Sequence, residues 1–216
     1  IIMFINPAAF KSCGGVSERF ESCWVDEHYD YLTSVRDDIS HDDFPDLSVE
    51  ANAEHWIRTS PKAFCNTSDQ QILTQVLNQY DQETHDFYRW TVQYSTRQLS
   101  ELIKKRSGID FGTVLDLIPV ERGTSGRLTK LKIIGTKRTL IVGKELEIRK
   151  WLSESHLRSS AFVVDKTSDG FLITGAGWGH GVGLCQIGAA VMGAQGYTYD
   201  KILKHYFRGA ELKIVY

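Results

Sequence analysis

Apolar and polar positions alternate along this chain with two distinct periods, which divide it into helical and extended stretches. Helical spacing runs over Val49 to Ile57, and again over Gln70 to Tyr80, where Thr67-Ser68-Asp69 offers cap residues ahead of Ile72, Leu73, Val76 and Leu77. It returns from Thr96 to Gly108 with Leu99, Leu102 and Ile103, over Lys144 to Leu152, and from Leu184 to Met192. Strand patterns cover Tyr88 to Tyr94, Val114 to Val120, Arg127 to Ile134, Thr139 to Val142, Ala161 to Val164 and Phe171 to Thr174. Turn residues at Gly123-Thr124-Ser125-Gly126, Gly135-Thr136 and Ser168-Asp169-Gly170 separate them. Arg36 to Ser48, with its acidic pairs and Pro45, reads as an exposed loop. These signals predict an α+β fold, a mixed and largely antiparallel β core with several peripheral helices. The opening Ile1-Ile2-Met3-Phe4-Ile5 reads as a strand already under way, which implies residues upstream.

A chain of 216 residues with 42% hydrophobic content can bury one substantial core, so one domain over 1–216 is the reading. The net charge of -2, from 25 basic and 27 acidic residues without like-charged runs, argues against a nucleic-acid partner. No stretch approaches the roughly 20 apolar residues of a spanning helix. The four cysteines, Cys13, Cys23, Cys65 and Cys185, show no CxxC spacing, so a zinc knuckle or a thioredoxin-type redox pair is disfavoured; no metal or cofactor is expected. Cys13 and Cys23 could bridge, or all could be buried free thiols.

The segment most informative about chemistry is Gly175-Ala176-Gly177-Trp178-Gly179-His180-Gly181-Val182-Gly183, five glycines in nine residues between a strand and a helix. A dinucleotide loop is excluded because the GxGxxG spacing and its downstream acid are missing, and no GK[ST] follows. Trp178 and His180 alternate with glycine, so an extended segment would point both to one side. An indole face for an apolar sugar face, beside an imidazole that can donate or exchange a proton, suits a carbohydrate.

Gly177 to Ala189 resembles the GxGHGVGxSQxGA signature of the SpoIID/LytB domain family. The stretch Gly196-Tyr197-Thr198-Tyr199-Asp200-Lys201-Ile202-Leu203-Lys204-His205-Tyr206-Phe207-Arg208-Gly209 is similar to that family's ending. At the front, Phe10-Lys11-Ser12-Cys13-Gly14-Gly15-Val16-Ser17-Glu18, with Trp24 and Tyr31-Leu32 following, resembles its S-x-CGG-x-TE element. Residues 36–110 match poorly and read as an insertion. Cys185 stands where the family usually has Ser. Some members hold zinc with a His and cysteines around the front element, but no His lies near Cys13 on its N-terminal side and Cys23 is the only nearby second thiol.

The resemblance implies a peptidoglycan lytic transglycosylase of the cell envelope or periplasm, cutting peptide-stripped glycan strands to 1,6-anhydromuramic ends. It also implies anchoring through an upstream segment as one arrangement, and other cell-wall hydrolases as partners. The alternative is a non-catalytic glycan binder that modifies a partner hydrolase. A third class is a thiol enzyme using Cys13 or Cys185 with His180. The family carries its general-acid Glu in an upstream Glu-Met-Pro-like segment that is not found in these residues. His180 and Glu18 are therefore the catalytic candidates, with Ser12, Cys13, Trp178, Gln186 and Arg127 as substrate-binding candidates. Arg127 would clamp a muramic lactyl carboxylate if it faces the cleft, and would otherwise be a surface strand residue.

Overall fold

A computed structural model describes residues 8–39, 44–77 and 86–212. The first elements are short: β1 (Ala9–Phe10) and α1 (Phe20–Cys23). Helix α2 (Glu50–Thr59) follows and ends at Ser60, which adopts a left-handed φ of 52°. In α3 (Gln70–Val76), Asp69 caps the first turn by accepting from the Gln71 N–H. The chain then forms β2 (Arg89–Ser95) and turns directly into α4 (Thr96–Ser107) through a capping box between Ser95 and Gln98. Gly108 closes that helix at φ 72°. Next come β3 (Val114–Arg122), β4 (Leu128–Gly135), β5 (Thr139–Val142), α5 (Glu145–Trp151), β6 (Phe162–Lys166) and β7 (Gly170–Ala176). The C-terminal part holds β8 (Leu184–Cys185), α6 (Gln186–Ala194) and α7 (Tyr199–Tyr206). The fold is α+β, as the periodicities predict.

Two antiparallel sheets, β2-β7-β6 and β3-β4-β5, pack with α4 and α5 around one core that includes Trp90, Leu99, Ile103, Leu131, Ile133, Ile148, Phe162 and Ile173. Burying each such side chain stabilises the fold by about 1.5–3 kcal/mol before entropy is counted. A second core gathers Phe10, Leu73, Val182, Ile187, Met192 and Tyr206 around the parallel pair β1-β8 and the helices α3, α6 and α7. Strand β7 is the middle strand of its sheet, held along both edges by β2 and β6. It leads directly into the glycine-rich segment, which crosses to the second core at β8.

Several boundaries differ from the periodic reading. Leu184 and Cys185 pair with Ala9 and Phe10, so the helix expected from Leu184 starts at Gln186. Helix α3 ends at Val76 because Leu77 turns extended; the predicted continuation over 78–80, like the opening strand at 1–5, lies outside the described residues. The stretch 36–48 is only partly an exposed loop. Asp37 is 1% exposed and Leu47 fully buried, because the Asp37 backbone pairs with Gly15 and Phe64 and its carboxylate is taken up inside. Asp42 and Asp43 lie outside the described residues.

Candidate functional site

The glycine-rich segment is not extended. Gly177, Gly179, Gly181 and Gly183 all have positive φ, between 73° and 106°, so the chain winds back on itself at each of them. At Gly181 (φ 89°) a Cβ would lie 2.5 Å from the Arg127 guanidinium carbon, so both the conformation and the space require glycine. The winding chain is pinned by the N-terminal element and by β2. Trp178 N–H donates to the Ser12 carbonyl at 2.7 Å, and Ser12 N–H returns the bond at 3.2 Å. Glu18 N–H donates to the Gly181 carbonyl at 2.8 Å, and Trp90 Nε1 donates to the Gly177 carbonyl at 2.9 Å. The N-terminal element and the glycine-rich segment thus form one structural unit.

Its outer surface is an open cleft of about 340 Å³, lined by Ala9, Phe10, Lys11, Arg149, Trp178, Gly179, His180 and Gln186. Trp178 and His180 border the same cleft even though the extended geometry assumed for them fails. The indole of Trp178 packs on Phe87 at 5.0 Å, and Lys11 Nζ lies 4.6 Å from its ring centre. His180 sits 4.8 Å from Trp24 and 5.6 Å from Phe10, ring centre to ring centre. Its Nδ1 accepts from the Val182 N–H at 3.1 Å, which leaves the proton on Nε2. Burial, reinforced by the nearby Arg127 and Arg149 guanidinium groups, pushes the His180 pKa down to about 4. At neutral pH this ring is uncharged and carries its proton on Nε2, with the Ala9 backbone as a further hydrogen-bond partner of the ring.

The other sequence-derived candidates lie beneath this surface. Ser12 and Glu18 are fully buried, Cys13 is 2% exposed, and Gln186 alone among the remaining candidates reaches the cleft. Glu18 Oε1 accepts from the Thr124 N–H and hydroxyl and from Arg19 N–H, while Oε2 accepts from the Ser125 N–H and hydroxyl. A carboxylate with five donors and no exposed surface secures the turn between β3 and β4 against the N-terminal element. Arg127 is neither in the cleft nor on the surface. It is fully buried, with Nε donating to Gly179 O and Nη1 to Cys13 O and Ser125 Oγ, because the backbone carbonyls of two irregular segments converge on it. The cations that do face the cleft are Lys11 and Arg149. Lys11 stands inside the Phe10-Lys11-Ser12 stretch and was open to recognition there; Arg149, on α5, carries no local signal. Among the described residues, no carboxylate lines the cleft.

The thiols are all free and buried. Cys23 Sγ donates to the His180 carbonyl, far from Cys13, so the pair that could bridge by sequence does not meet. Cys13 instead meets Cys65, with sulfurs 3.4 Å apart, and Cys185 and Asp37 complete a buried group. The fold gathers these four from separate segments, a convergence that CxxC spacing could not reveal. Cys13 and Cys185 are buried, and the contacts of their sulfurs are with one another's residues and with Cys65 rather than with the His180 ring, so they do not form a nucleophile–base pair with it.

A second concavity of about 340 Å³ lies between Phe64, Met192, Tyr197 and α7 and is mostly apolar. The Trp178–His180 cleft is preferred because it combines aromatic, cationic and hydrogen-bonding groups in the segment with the most unusual backbone.

The family model described as "Domain of unknown function (DUF8618)" matches residues 18–183 of this chain. An uncharacterized protein of Brachyspira hyodysenteriae is 38% identical over 88 residues, 41% of this chain and 23% of that protein. "Stage II sporulation protein D" of Bacillus subtilis is 37% identical over 73 residues, 34% of this chain and 21% of that protein. "Amidase enhancer" of Bacillus subtilis is 34% identical over 77 residues, 36% of this chain and 11% of that protein. The matched segments thus span far less than two thirds of those relatives. Among the described residues, no helix is long and apolar enough to cross a membrane.

Proposed function

This chain belongs to the family described as DUF8618; we propose that it acts in the cell wall, binding peptidoglycan glycan strands in the Trp178–His180 cleft as the substrate-engaging part of a lytic transglycosylase. The observation that carries the reading is the composition of the cleft: an indole, a neutral imidazole donor, the amide of Gln186 and two cations around one open concavity. Glycan strands carry apolar sugar faces, hydroxyls and, on each muramic acid, a lactyl carboxylate, so each group in the cleft has a counterpart on the ligand. The partial relatives named for sporulation and amidase enhancement support a cell-wall setting outside the cytoplasm.

In lytic transglycosylation an acid protonates the glycosidic oxygen, and the muramic C6 hydroxyl, losing its proton to the resulting base, closes on C1 without water. His180, neutral with its proton on Nε2, fits hydrogen bonding to a sugar hydroxyl better than it fits this acid role. Glu18, enclosed by five donors, is a structural carboxylate. The acid must therefore come from a residue beyond those lining the cleft.

The same observation favours a second reading, in which the chain binds glycan without cutting it and modifies a partner hydrolase. The two are separated by incubating the protein with peptide-free glycan strands and analysing the soluble products by mass spectrometry. Products with 1,6-anhydro ends support the enzyme. Retention of the strands without cleavage supports the binder, and neither binding nor cleavage would sink both.

A further inference from the structure

We propose that Cys13, Asp37, Cys65 and Cys185 form a buried tetrahedral zinc site that ties four separate chain segments together beneath the cleft. The inference is independent of what the cleft binds. One ligand atom from each residue lies within 4.8 Å of all the others, and the Cys13 and Cys65 sulfurs are 3.4 Å apart. Zn–S bonds of about 2.3 Å and Zn–O bonds of about 2.0 Å place tetrahedral ligand atoms roughly 3.5–3.8 Å from one another, so sub-ångström shifts would close the set. Three soft thiolates and one carboxylate in a closed shell select zinc over magnesium or calcium. All four residues are buried, which marks a structural site rather than a catalytic one.

Three further features suit an ion. First, the surroundings aim N–H groups at the would-be thiolates: Cys13 N–H donates to Cys185 Sγ and Gly15 N–H to Cys13 Sγ, each at 3.3 Å. Cys185 is also the N-cap of the nine-residue helix α6, whose positive end favours a thiolate. Second, the Asp37 carboxylate is held at Oδ1 by the Tyr206 hydroxyl and at Oδ2 by Cys65 N–H at 2.8 Å, the orienting contacts a metal-bound carboxylate has. Third, Asp37 forms no ion pair with a Lys or Arg among the described residues. No histidine takes part, and Asp37, Cys65 and Cys185 all lie outside the Ser12–Glu18 element. The site also gives a reason for Cys at 185, where the signature it resembles usually has Ser.

The test is metal analysis of the protein purified without added chelator, with cobalt substitution as the spectroscopic check. We expect about one zinc per chain, falling to about a tenth or less in Cys65→Ser and Asp37→Ala and unchanged in Cys23→Ser. The cobalt-loaded native protein should show the visible bands of tetrahedral cobalt and a sulfur-to-cobalt band in the near ultraviolet, a readout that does not depend on whether the variants fold. Native protein without zinc would overturn the proposal, whether all four thiols titrate after denaturation or only two do because Cys13 and Cys65 have joined as a disulfide. Zinc that survives Cys65→Ser but leaves with Cys23→Ser would overturn it as well.

Discussion

Glu18 Oε2 accepts from both donors of Ser125, the hydroxyl at 2.6 Å and the backbone N–H at 3.1 Å. With the matching pair from Thr124 on Oε1, this leaves no lone pair free for catalysis. Glu18→Gln would turn an amide NH2 toward two donors and forfeit the charge-assisted bonds, at a cost of about 2–4 kcal/mol. The expected result is a lower melting temperature, with glycan binding per folded molecule unchanged at a temperature where the variant is folded. A variant of native stability that has lost only its activity would return Glu18 to a catalytic role.

Gly181 turns the chain where Arg127 fills the space behind it. Gly181→Ala adds a Cβ at φ 89°, 2.5 Å from the guanidinium carbon, and should destabilise the protein by more than about 2 kcal/mol. Gly196→Ala is the control. It shares a positive φ of 86°, yet nothing lies within 4 Å of the added Cβ, so its loss should be near 1 kcal/mol. Denaturant unfolding of the two variants measures the difference, and equal losses would show that the contact with Arg127 carries no cost.

His180 makes stability depend on pH. Its folded pKa is about 4 against an ordinary 6.5, so between those values the unfolded chain binds a proton that the folded chain refuses. Stability therefore falls as pH drops from about 6.5 to 4 and is fully present above it, a contribution of about 1–3 kcal/mol for a half-buried ring. In His180→Gln the dependence over that window should flatten by this amount. An unchanged slope would mean that His180 titrates normally.

The elements that local physics decides were legible in the sequence. Strand β5 and helix α4 were readable to within a residue because alternation, the helical spacing of Leu99, Leu102 and Ile103, and a closing glycine act over a few positions. What escaped was set by long-range pairing. Leu184 and Cys185 look helical until Ala9 and Phe10 pair with them, and Asp37 looks like a loop acid until Tyr206 and Cys65 enclose it. For the site, flanking glycines draw attention to Trp178 and His180, which border one cleft. They do not indicate which charges face outward: Arg127, read as a clamp in the cleft or a surface strand residue, is buried, and the cations that line the cleft are Lys11 and Arg149.

Lys11 tests that reassignment. Its ammonium lies 4.6 Å from the centre of the Trp178 ring at the edge of the cleft, placed to meet a carboxylate on a strand stacked beside it. Peptide-free glycan strands carry a lactyl carboxylate on every second sugar, whereas chitin oligosaccharides offer similar ring faces and N-acetyl groups without charge. Lys11→Gln should therefore weaken binding of glycan strands about fivefold, corresponding to about 1 kcal/mol for an exposed ion pair, and leave chitin oligosaccharide binding nearly unchanged. The glycan-strand affinity of the native protein should decline with added salt more steeply than that of the variant. Equal losses for both ligands would instead assign Lys11 to supporting the indole through its cation–π contact.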